Sequence, residues 1–544
     1  MLVLVVALGI LAAGPGGSAT GAPPPGSNVI LLYTDDQSNT HMGPMPATRS
    51  LIGSAGATFN RAYTSYPICC PSRASMLTGL YMHNHQVRGN GGTYGGWHRF
   101  RDQIVGEPTA LPVRLDGAGY YSTHVGKYFN GYTAAEGLHV PAGWDEWYSR
   151  IGGEVKVYYD YNMVEQGPSG IPASVYYGFD EADYSTDVFA TKALDFIQRA
   201  DTIGQPFFLS VSFSAPHHPF TPAQSDLHTR DSSPLPRRRS FNEKYIRDKP
   251  RWMRREARHR LGPGSRQKIF EQQRRREETL VGVDRAVNSI VSALQQQGLL
   301  EDTYIIFTSD NGLFRGEHRI AGGKYLPHEP ASHVPLMIRG PGITPGSKIQ
   351  ELVSNLDLAS TIFEIAGIPD PTVDGRSLLP FLDDPGLRTT RPLLLEADTG
   401  PGRGVGAGHD PDLVRKSARK SLRRAGIARL RGVKNLDQEK LAGVAQATGD
   451  RAPAYRAIRT DRYLYVLYAT GDVELYDMHR DPFQLRSLAR VKRYAPVRKW
   501  LFSHLVQLID CDGQECRDQI GEPPGPSARA KATAKKKKKR ARRR

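Results

Sequence analysis

Short apolar runs alternate with longer segments of helical period along this chain. Asn28 to Thr34 is mostly apolar and stops at Asp35-Asp36, as a strand buried on both faces of a parallel sheet does. Pro206 to Phe213 repeats the pattern and breaks at Ala215-Pro216-His217. Thr303 to Thr308 ends at Ser309-Asp310-Asn311-Gly312, and Val334 to Ile338 is stopped by Gly340-Pro341-Gly342. Thr186 to Arg199 and Glu278 to Gln297 show helical patterns between them. Strands alternating with helices predict an α/β domain, with the polar strand ends where such folds place sites. Near Pro380 the organisation changes. Arg456 to Tyr468 alternates, turns follow at Leu475-Tyr476-Asp477 and Asp481-Pro482, and Pro496 to Ile509 reads as a helix. This predicts a small antiparallel sheet with a closing helix. Two basic, poorly patterned stretches, Arg237 to Arg276 and Arg415 to Lys434, read as surface insertions.

A chain of 544 residues is too long for one ordinary core, so one large and one small domain are expected. Met1 to Ala13 is apolar and gives way to Gly, Ser and Pro. A run of about 12 residues is too short to span a bilayer. It reads as a secretory signal with a cut between Ala19 and Ala22, or as a buried first strand. Cys69, Cys70, Cys511 and Cys516 are the four cysteines. The last two make a local disulfide if the chain is exported, or remain free thiols. The formal charge is +17, and eleven basic residues fall between Arg529 and Arg544, leaving about +6 for the rest. That tail cannot bury a core and is expected to be disordered. It either holds the chain on anionic glycans or a cell surface, or is a solvated end. No aromatic residues interleave with its charges, which argues against specific nucleic-acid binding.

The most informative stretch is Cys69-Cys70-Pro71-Ser72-Arg73-Ala74-Ser75-Met76-Leu77-Thr78-Gly79. It reads as a turn opening a helix, with a nucleophile at the turn and a guanidinium four residues on. Free N–H groups at a helix N-terminus favour an anion, and Arg73 offers a fork suited to a tetrahedral oxyanion. The alternative is two buried cysteines ahead of an ordinary helix. Asp35, Asp36, Asp310 and Asn311 lie at two strand ends and offer hard oxygen donors without nearby His or Cys. Such a set favours Ca²⁺ or Mg²⁺ over zinc.

The C-x-P-S-R run followed by L-T-G resembles the signature of the type I sulfatases, whose first cysteine is oxidised to formylglycine. The doubled cysteine and Tyr81-Met82-His83-Asn84-His85 look most like the N-acetylglucosamine-6-sulfatase group. The resemblance covers about Asn28 to Cys516. It implies an alkaline-phosphatase-like α/β core, with a central mostly parallel sheet flanked by helices, plus a small C-terminal α+β domain. The expected division is a signal and linker (1–26), a catalytic domain (27–382), a C-terminal subdomain (383–520) and a polybasic tail (521–544).

By that resemblance Cys69 is the modified residue and Cys70 has no chemistry. Asp35, Asp36, Asp310 and Asn311 bind a divalent cation, which also holds the formylglycine. Lys127, in a segment resembling the family's second signature, reaches the sulfate. Many arylsulfatases carry His two residues beyond that lysine; here Phe129 and Asn130 stand there instead. His217 and Lys324 complete the set, while His318, His83 and His85 are given no catalytic role. A hydrated aldehyde at Cys69 would attack sulfur, helped by the metal and a carboxylate such as Asp310. Arg73, Lys127 and Lys324 would offset negative charge, and His217 or Lys324 would protonate the departing sugar oxygen.

The expectation is therefore an exported Ca²⁺-dependent sulfatase, with Mg²⁺ possible, cleaving 6-O-sulfate from glucosamine-type sugars. A formylglycine-generating enzyme is its maturation partner. The rivals are a phosphate mono- or diester hydrolase of the same superfamily and a non-catalytic polyanion-binding surface protein.

Overall fold

A computed structural model of the chain describes residues 26–103, 105–152, 157–232, 237–368, 372–398 and 452–527. The expected signal at 1–26 lies outside these residues except for Gly26. So do Arg415 to Lys434 and the basic tail from residue 528 onward.

A ten-stranded sheet forms the body. From edge to edge it runs Ser347–Ile349, Ala57–Phe59, Leu336–Arg339, Thr303–Ser309, Asn28–Thr34, Phe207–Ser212, Tyr121–Lys127, Glu146–Ile151, Tyr161–Gln166 and Ala173–Tyr177. The central strands, from Thr303–Ser309 to Glu146–Ile151, are all parallel. The sheet turns antiparallel at Leu336–Arg339 on one side and Tyr161–Gln166 on the other.

The Asn28–Thr34 strand is buried throughout and mostly apolar because both its faces are covered. Val29, Leu31 and Tyr33 pack with the Cys69–Thr78 and Asp357–Ile365 helices, through Ala74, Leu77, Leu358 and Ile362. Ile30 and Leu32 pack on the opposite face, against Val188 and Phe189 of the Ser185–Ile203 helix. Leu280, Val283 and Val287 of the Pro263–Gln296 helix complete that layer. Tyr33 pairs with Ser212, Thr34 with Ser309 and Gly126 with Ser212, so four strands finish level at one edge. This register brings the segments after those strands together.

Three expectations need correction. Leu475-Tyr476-Asp477 is not a turn but the end of the Val473–Asp477 strand, paired with Tyr463–Tyr468. Val334 to Ile338 is two strands. Pro335 has no N–H for a ladder, and it separates His333–Val334, paired with Ala62–Tyr63, from Leu336–Arg339, paired with Thr303–Ser309. The basic stretch Arg237 to Arg276 is not merely a surface insertion. Its end forms the first turns of the 34-residue Pro263–Gln296 helix, with Ile269, Gln273 and Arg276 buried. Arg276, Leu280, Val283, Val287 and Ile290 share one helical face.

The second unit is a four-stranded antiparallel sheet of Leu393–Ala397, Tyr455–Arg459, Tyr463–Tyr468 and Val473–Asp477. The Ala495–Leu508 helix covers it, and Cys511 and Cys516 form a disulfide just beyond. Buried ion pairs tie this unit to the large one. Arg391 grips Asp357 at 2.8 Å, both fully buried. His83 lies 2.9 Å from Glu396 through Nδ1 and 2.9 Å from the Cys511 carbonyl through Nε2. Both ring nitrogens face acceptors, so the imidazolium satisfies both.

The His83 pair makes stability pH-dependent. Burial pulls His83 down, but Glu396 outweighs it and raises the imidazole to about 9. Burial pushes Glu396 up, but His83 and Arg456 bring it to about 2. A raised histidine contributes fully below its unfolded value of about 6.5 and loses that contribution as pH rises through its folded value. A lowered carboxylate contributes above about 4.5 and loses it only as pH falls toward its folded value. The His83→Gln protein should therefore melt about 1–3 degrees below wild type near pH 6, for a loss of roughly 1–3 kcal/mol. Calorimetry should show the two melting temperatures converging by about pH 10; a gap independent of pH would refute the charged pair.

Candidate functional site

Each side chain of the site comes from the segment at a strand end or from the helix that faces it, except Lys324, which comes from the loop between Thr303–Ser309 and the Glu329–Ser332 helix. Asp35 and Asp36 follow the first strand, and Asp310 and Asn311 follow its parallel neighbour. Asp36 has φ 73°, a left-handed conformation that costs energy for a non-glycine residue. Its N–H donates to Asp310 Oδ1 at 3.1 Å, and Asn311 Nδ2 donates to its Oδ1. Lys127 ends a third strand. The glycine before it is required, because a Cβ on Gly126 would lie 2.1 Å from the Ser212 carbonyl oxygen.

The Cys69–Thr78 helix starts at this edge with Cys69 as its first residue. Ser72 Oγ donates to the Asp310 carbonyl. One turn on from Cys69, Arg73 lies beneath the acids. Its Nε donates to Asp310 Oδ2 at 2.9 Å and its Nη2 to Asp35 Oδ2 at 3.3 Å. Its Nη1 serves the Lys127 and Tyr128 carbonyls and Ser212 Oγ. The fork is therefore engaged within the protein, where it fixes two carboxylates and the Lys127 backbone.

Cys69 Sγ lies 3.5 Å from Asp35 Oδ1, 3.6 Å from Lys127 Nζ and 2.8 Å from Lys324 Nζ. Lys127 donates to Asp35 and Lys324 to Asp36. Burial raises the Cys69 thiol, and Asp35 adds to the rise against Lys127 and Lys324, so the encoded side chain keeps its proton. Burial would also raise Asp35, but Lys127, His217, Arg73 and Lys324 hold it well below the usual carboxylate range. Burial works against the charge on Lys324, but Asp36, Cys69 and Asp35 hold its proton well above the ordinary lysine value.

His217 stands 3.9 Å from Asp36 Oδ2 through Nε2. Its Nδ1 lies 2.7 Å from the His218 carbonyl. That oxygen can only accept, so Nδ1 carries the hydrogen and Nε2 is left to face the site. A cavity of about 70 Å³ opens here, lined by Asp35, Lys127, Phe129, Asn130, Arg150 and His217 among others.

The nine residues singled out from the sequence thus gather at one sheet edge. The remaining candidates lie elsewhere or are occupied. His85 meets Ser75 Oγ at 3.1 Å, and His83 docks the C-terminal sheet. His318 is buried beside Glu243 and His328. Cys70 Sγ accepts from the Asn130 N–H at 3.2 Å, and its thiol is raised to about 11 chiefly by burial.

Two arginines at the site escaped sequence reasoning. Arg150 pairs in register with Lys127 and lines the cavity. Arg276 donates to the Pro216 carbonyl at 2.8 Å and the Asp36 carbonyl at 2.6 Å, tying together the segments that carry His217 and Asp36. Its signal was available in its position on the apolar stripe of Leu280, Val283 and Val287, hidden by the basic run around it.

The donor set suits a hard divalent cation. Ligand oxygens of Asp35, Asp36 and Asp310 lie within 4.8 Å of one another. Asn311 Oδ1 is buried and has no partner, although its amide nitrogen is used. A buried orphan acceptor is costly unless something charged or hydrogen-bonding meets it. Three carboxylates here face Arg73, Lys127 and Lys324. The cluster is balanced by itself, and a divalent cation would make it attractive to an anion.

The family model described as Sulfatase matches residues 27–368. The N-acetylglucosamine-6-sulfatase of Homo sapiens is 34% identical over 545 residues, covering 96% of this chain and 91% of that protein. The extracellular sulfatase SULF-1 homolog of Drosophila melanogaster is 36% identical over 366 residues, covering 65% of this chain and 31% of that one. A solved structure in complex with its substrate, D-glucosamine-2-N,6-O-disulfate, superposes with a TM-score of 0.68. It is 21% identical, and the match covers 92% of this chain and 100% of that one.

Arg276→Gln should remove one of the two carbonyl contacts or both. We expect divalent-cation affinity, read by titration calorimetry with Ca²⁺, to fall about tenfold, the scale of a lost buried charged hydrogen bond. Arg276→Lys should recover part of that loss; unchanged affinity in both variants would show that the tie is incidental.

Proposed function

The chain belongs to the sulfatase family, and on that footing we propose that it hydrolyses 6-O-sulfate esters of N-acetylglucosamine-type sugars in sulfated glycans. The observation that carries this reading is the seat of Cys69, a buried residue at a helix start between Asp35, Lys127 and Lys324. The identity to the human enzyme over nearly the whole chain supports the choice of sugar. In this reading residues 27–382 form the catalytic domain and 383–520 the C-terminal subdomain.

Sulfatases of this family use formylglycine and a divalent metal. Converted to formylglycine, Cys69 would supply a hydrated aldehyde, whose second hydroxyl lets sulfate leave instead of trapping the enzyme as an ester. Asp35, Asp36, Asp310 and Asn311 would hold the cation, which supplies Lewis acidity beside that residue. We propose calcium, with magnesium as the alternative, because every donor is a hard oxygen.

The protein's own side chains then divide the work. Arg73 fixes the Asp35 and Asp310 carboxylates and adds positive potential below the reacting position. Lys127 and Lys324 flank Cys69 and meet the anionic face of the sulfate ester, which would otherwise repel a nucleophile. Lys324 Nζ, 2.8 Å from Cys69 Sγ, delivers a proton to the departing sugar oxygen, with His217 Nε2 across the site as the second proton carrier. Phe129 and Asn130 wall the cavity where other arylsulfatases have a histidine.

We also propose export, followed by maturation through a formylglycine-generating enzyme. The apolar leader and the disulfide at Cys511–Cys516 support it. Among the described residues no helix is long and apolar enough to cross a membrane. The basic tail is the proposed contact to anionic glycans or a cell surface.

Mass spectrometry of the Cys69 peptide should show the aldehyde in active protein; an unmodified thiol in fully active enzyme would end this mechanism. Cys69→Ala should abolish turnover, whereas Cys70→Ala should leave it within about threefold, as expected for a small buried change away from the reacting atoms. Chelation of divalent ions should stop activity, and added Ca²⁺ should restore it. Rates on aryl sulfate should far exceed those on aryl phosphate and aryl phosphodiester; the opposite order would favour the phosphoesterase rival.

A further inference from the structure

A groove of about 720 Å³ lies apart from the Cys69 site, between the Asp248–Arg255 segment of the large unit and the C-terminal sheet and helix. Its size is that of a ligand site. Lys249, Arg251, Arg255, Arg490, Arg498 and Lys499 line it against only Asp248 and Asp472. Both acids are occupied. Asp248 accepts from the Ser487 N–H at 2.6 Å, and Asp472 from Thr470 Oγ1 at 3.0 Å.

Lys249 is buried, with its ammonium on the Gln484 carbonyl and near Glu243. By contrast, among the described residues Arg251, Arg490, Arg498 and Lys499 make no ion pair. Arg498 is half-buried and gives Nη1 to the Val491 carbonyl. Trp252 lies on the lining with its indole N–H buried and without an acceptor. Exposed cations around an unsatisfied donor and aromatic side chains suit a ligand that is anionic, rich in acceptor oxygens and partly apolar on its ring faces. Arg415 to Lys434 and the tail are themselves basic and so do not match this groove.

The stretch just before the Asp248–Arg255 segment braces the Lys324 loop. The Asn242 N–H donates to the Gly316 carbonyl at 2.7 Å and the His318 N–H to the Ser240 carbonyl at 2.8 Å. Gln484, which receives Lys249, accepts the Glu329 N–H at 3.1 Å. The groove is thus linked, through Lys249 and Gln484, to the segment that follows Lys324.

We propose that this groove is a second, non-catalytic binding site for an acidic polysaccharide, holding a part of the chain remote from the sulfated sugar in the Cys69 pocket. This rests on the reading of the substrate as a sulfated glycan. It adds that the protein grips a chain longer than one sugar, and that Arg490, Arg498 and Lys499 govern KM for polymeric substrate.

Acetylation of wild-type, full-length protein, read by mass spectrometry, tests it directly. A heparin-derived hexasaccharide should shield Lys499 in dilute buffer and fail to do so in about 0.5 M NaCl, where exposed charges are screened. Exposed Lys348, on another face, should label equally with and without the saccharide. A triple variant, Arg490→Gln, Arg498→Gln and Lys499→Gln, should raise KM on a polymeric sulfated glycan about tenfold, the combined effect of three exposed charge contacts. Its kcat, and its turnover of a small aryl sulfate, should match wild type.

Equal labelling of Lys499 with and without saccharide overturns the proposal, as does equal shielding by neutral dextran or an unchanged KM in the triple variant. If wild type turns over neither sulfate substrate, the sulfatase reading fails while the footprint still decides the groove. If the variant does not fold, the wild-type footprint decides alone.

Discussion

Three buried carboxylates converge on one strand-end pocket, and the structure around them makes that tolerable. Buried like charges repel, and burial alone would protonate them. Arg73 answers from below with a bond to Asp35 and another to Asp310, while Lys127 and Lys324 answer from above. The balance leaves Asp35 and Asp36 ionised and the Cys69 thiol protonated. Take away Arg73 and the remaining charges are left uncompensated in a low-dielectric interior, a situation that costs several kcal/mol on the scale of about 3–5.

That cluster is held by elements that cannot easily move. The acids leave parallel strands whose register is set by apolar residues packed on both faces, so shifting Asp35 relative to Asp310 means breaking the core. Arg276 reaches in from the long Pro263–Gln296 helix and ties the Asp36 and Pro216 carbonyls. The left-handed backbone at Asp36 is kept in place by these bonds. Strain of this kind persists only where surrounding contacts over-determine it.

The smaller unit completes the arrangement without entering the acid cluster. Its sheet docks through Arg391–Asp357 and His83–Glu396, and His83 lies just after the helix that begins at Cys69. The helix is therefore anchored at one end by the acid cluster and followed at the other by the interface between units. The groove beside the C-terminal helix is built by the same docking, from side chains of both units. A sulfatase acting on a polymer needs a place for the rest of the polymer, and this junction offers one with unpaired positive charge.

Local pattern was enough for the strands from Asn28, Phe207 and Thr303, because their residues are buried on both sides and must be apolar. It was enough for the Cys69 run, since a nucleophile, a helix start and an arginine one turn on are all local relations. It also marked Asp35, Asp36, Asp310 and Asn311 as oxygen donors, because strand ends point to one edge of a parallel sheet. Local pattern could not show that Arg73 would be engaged within the protein or which carbonyls Arg276 would meet, although the break at Pro335 and the inward face of Arg276 were both legible along the chain. Those outcomes depend on which distant carbonyls and carboxylates lack partners once the sheet has formed. An unpaired group hundreds of residues away is invisible along the chain, yet in the folded interior its demand for a hydrogen bond decides where a side chain goes.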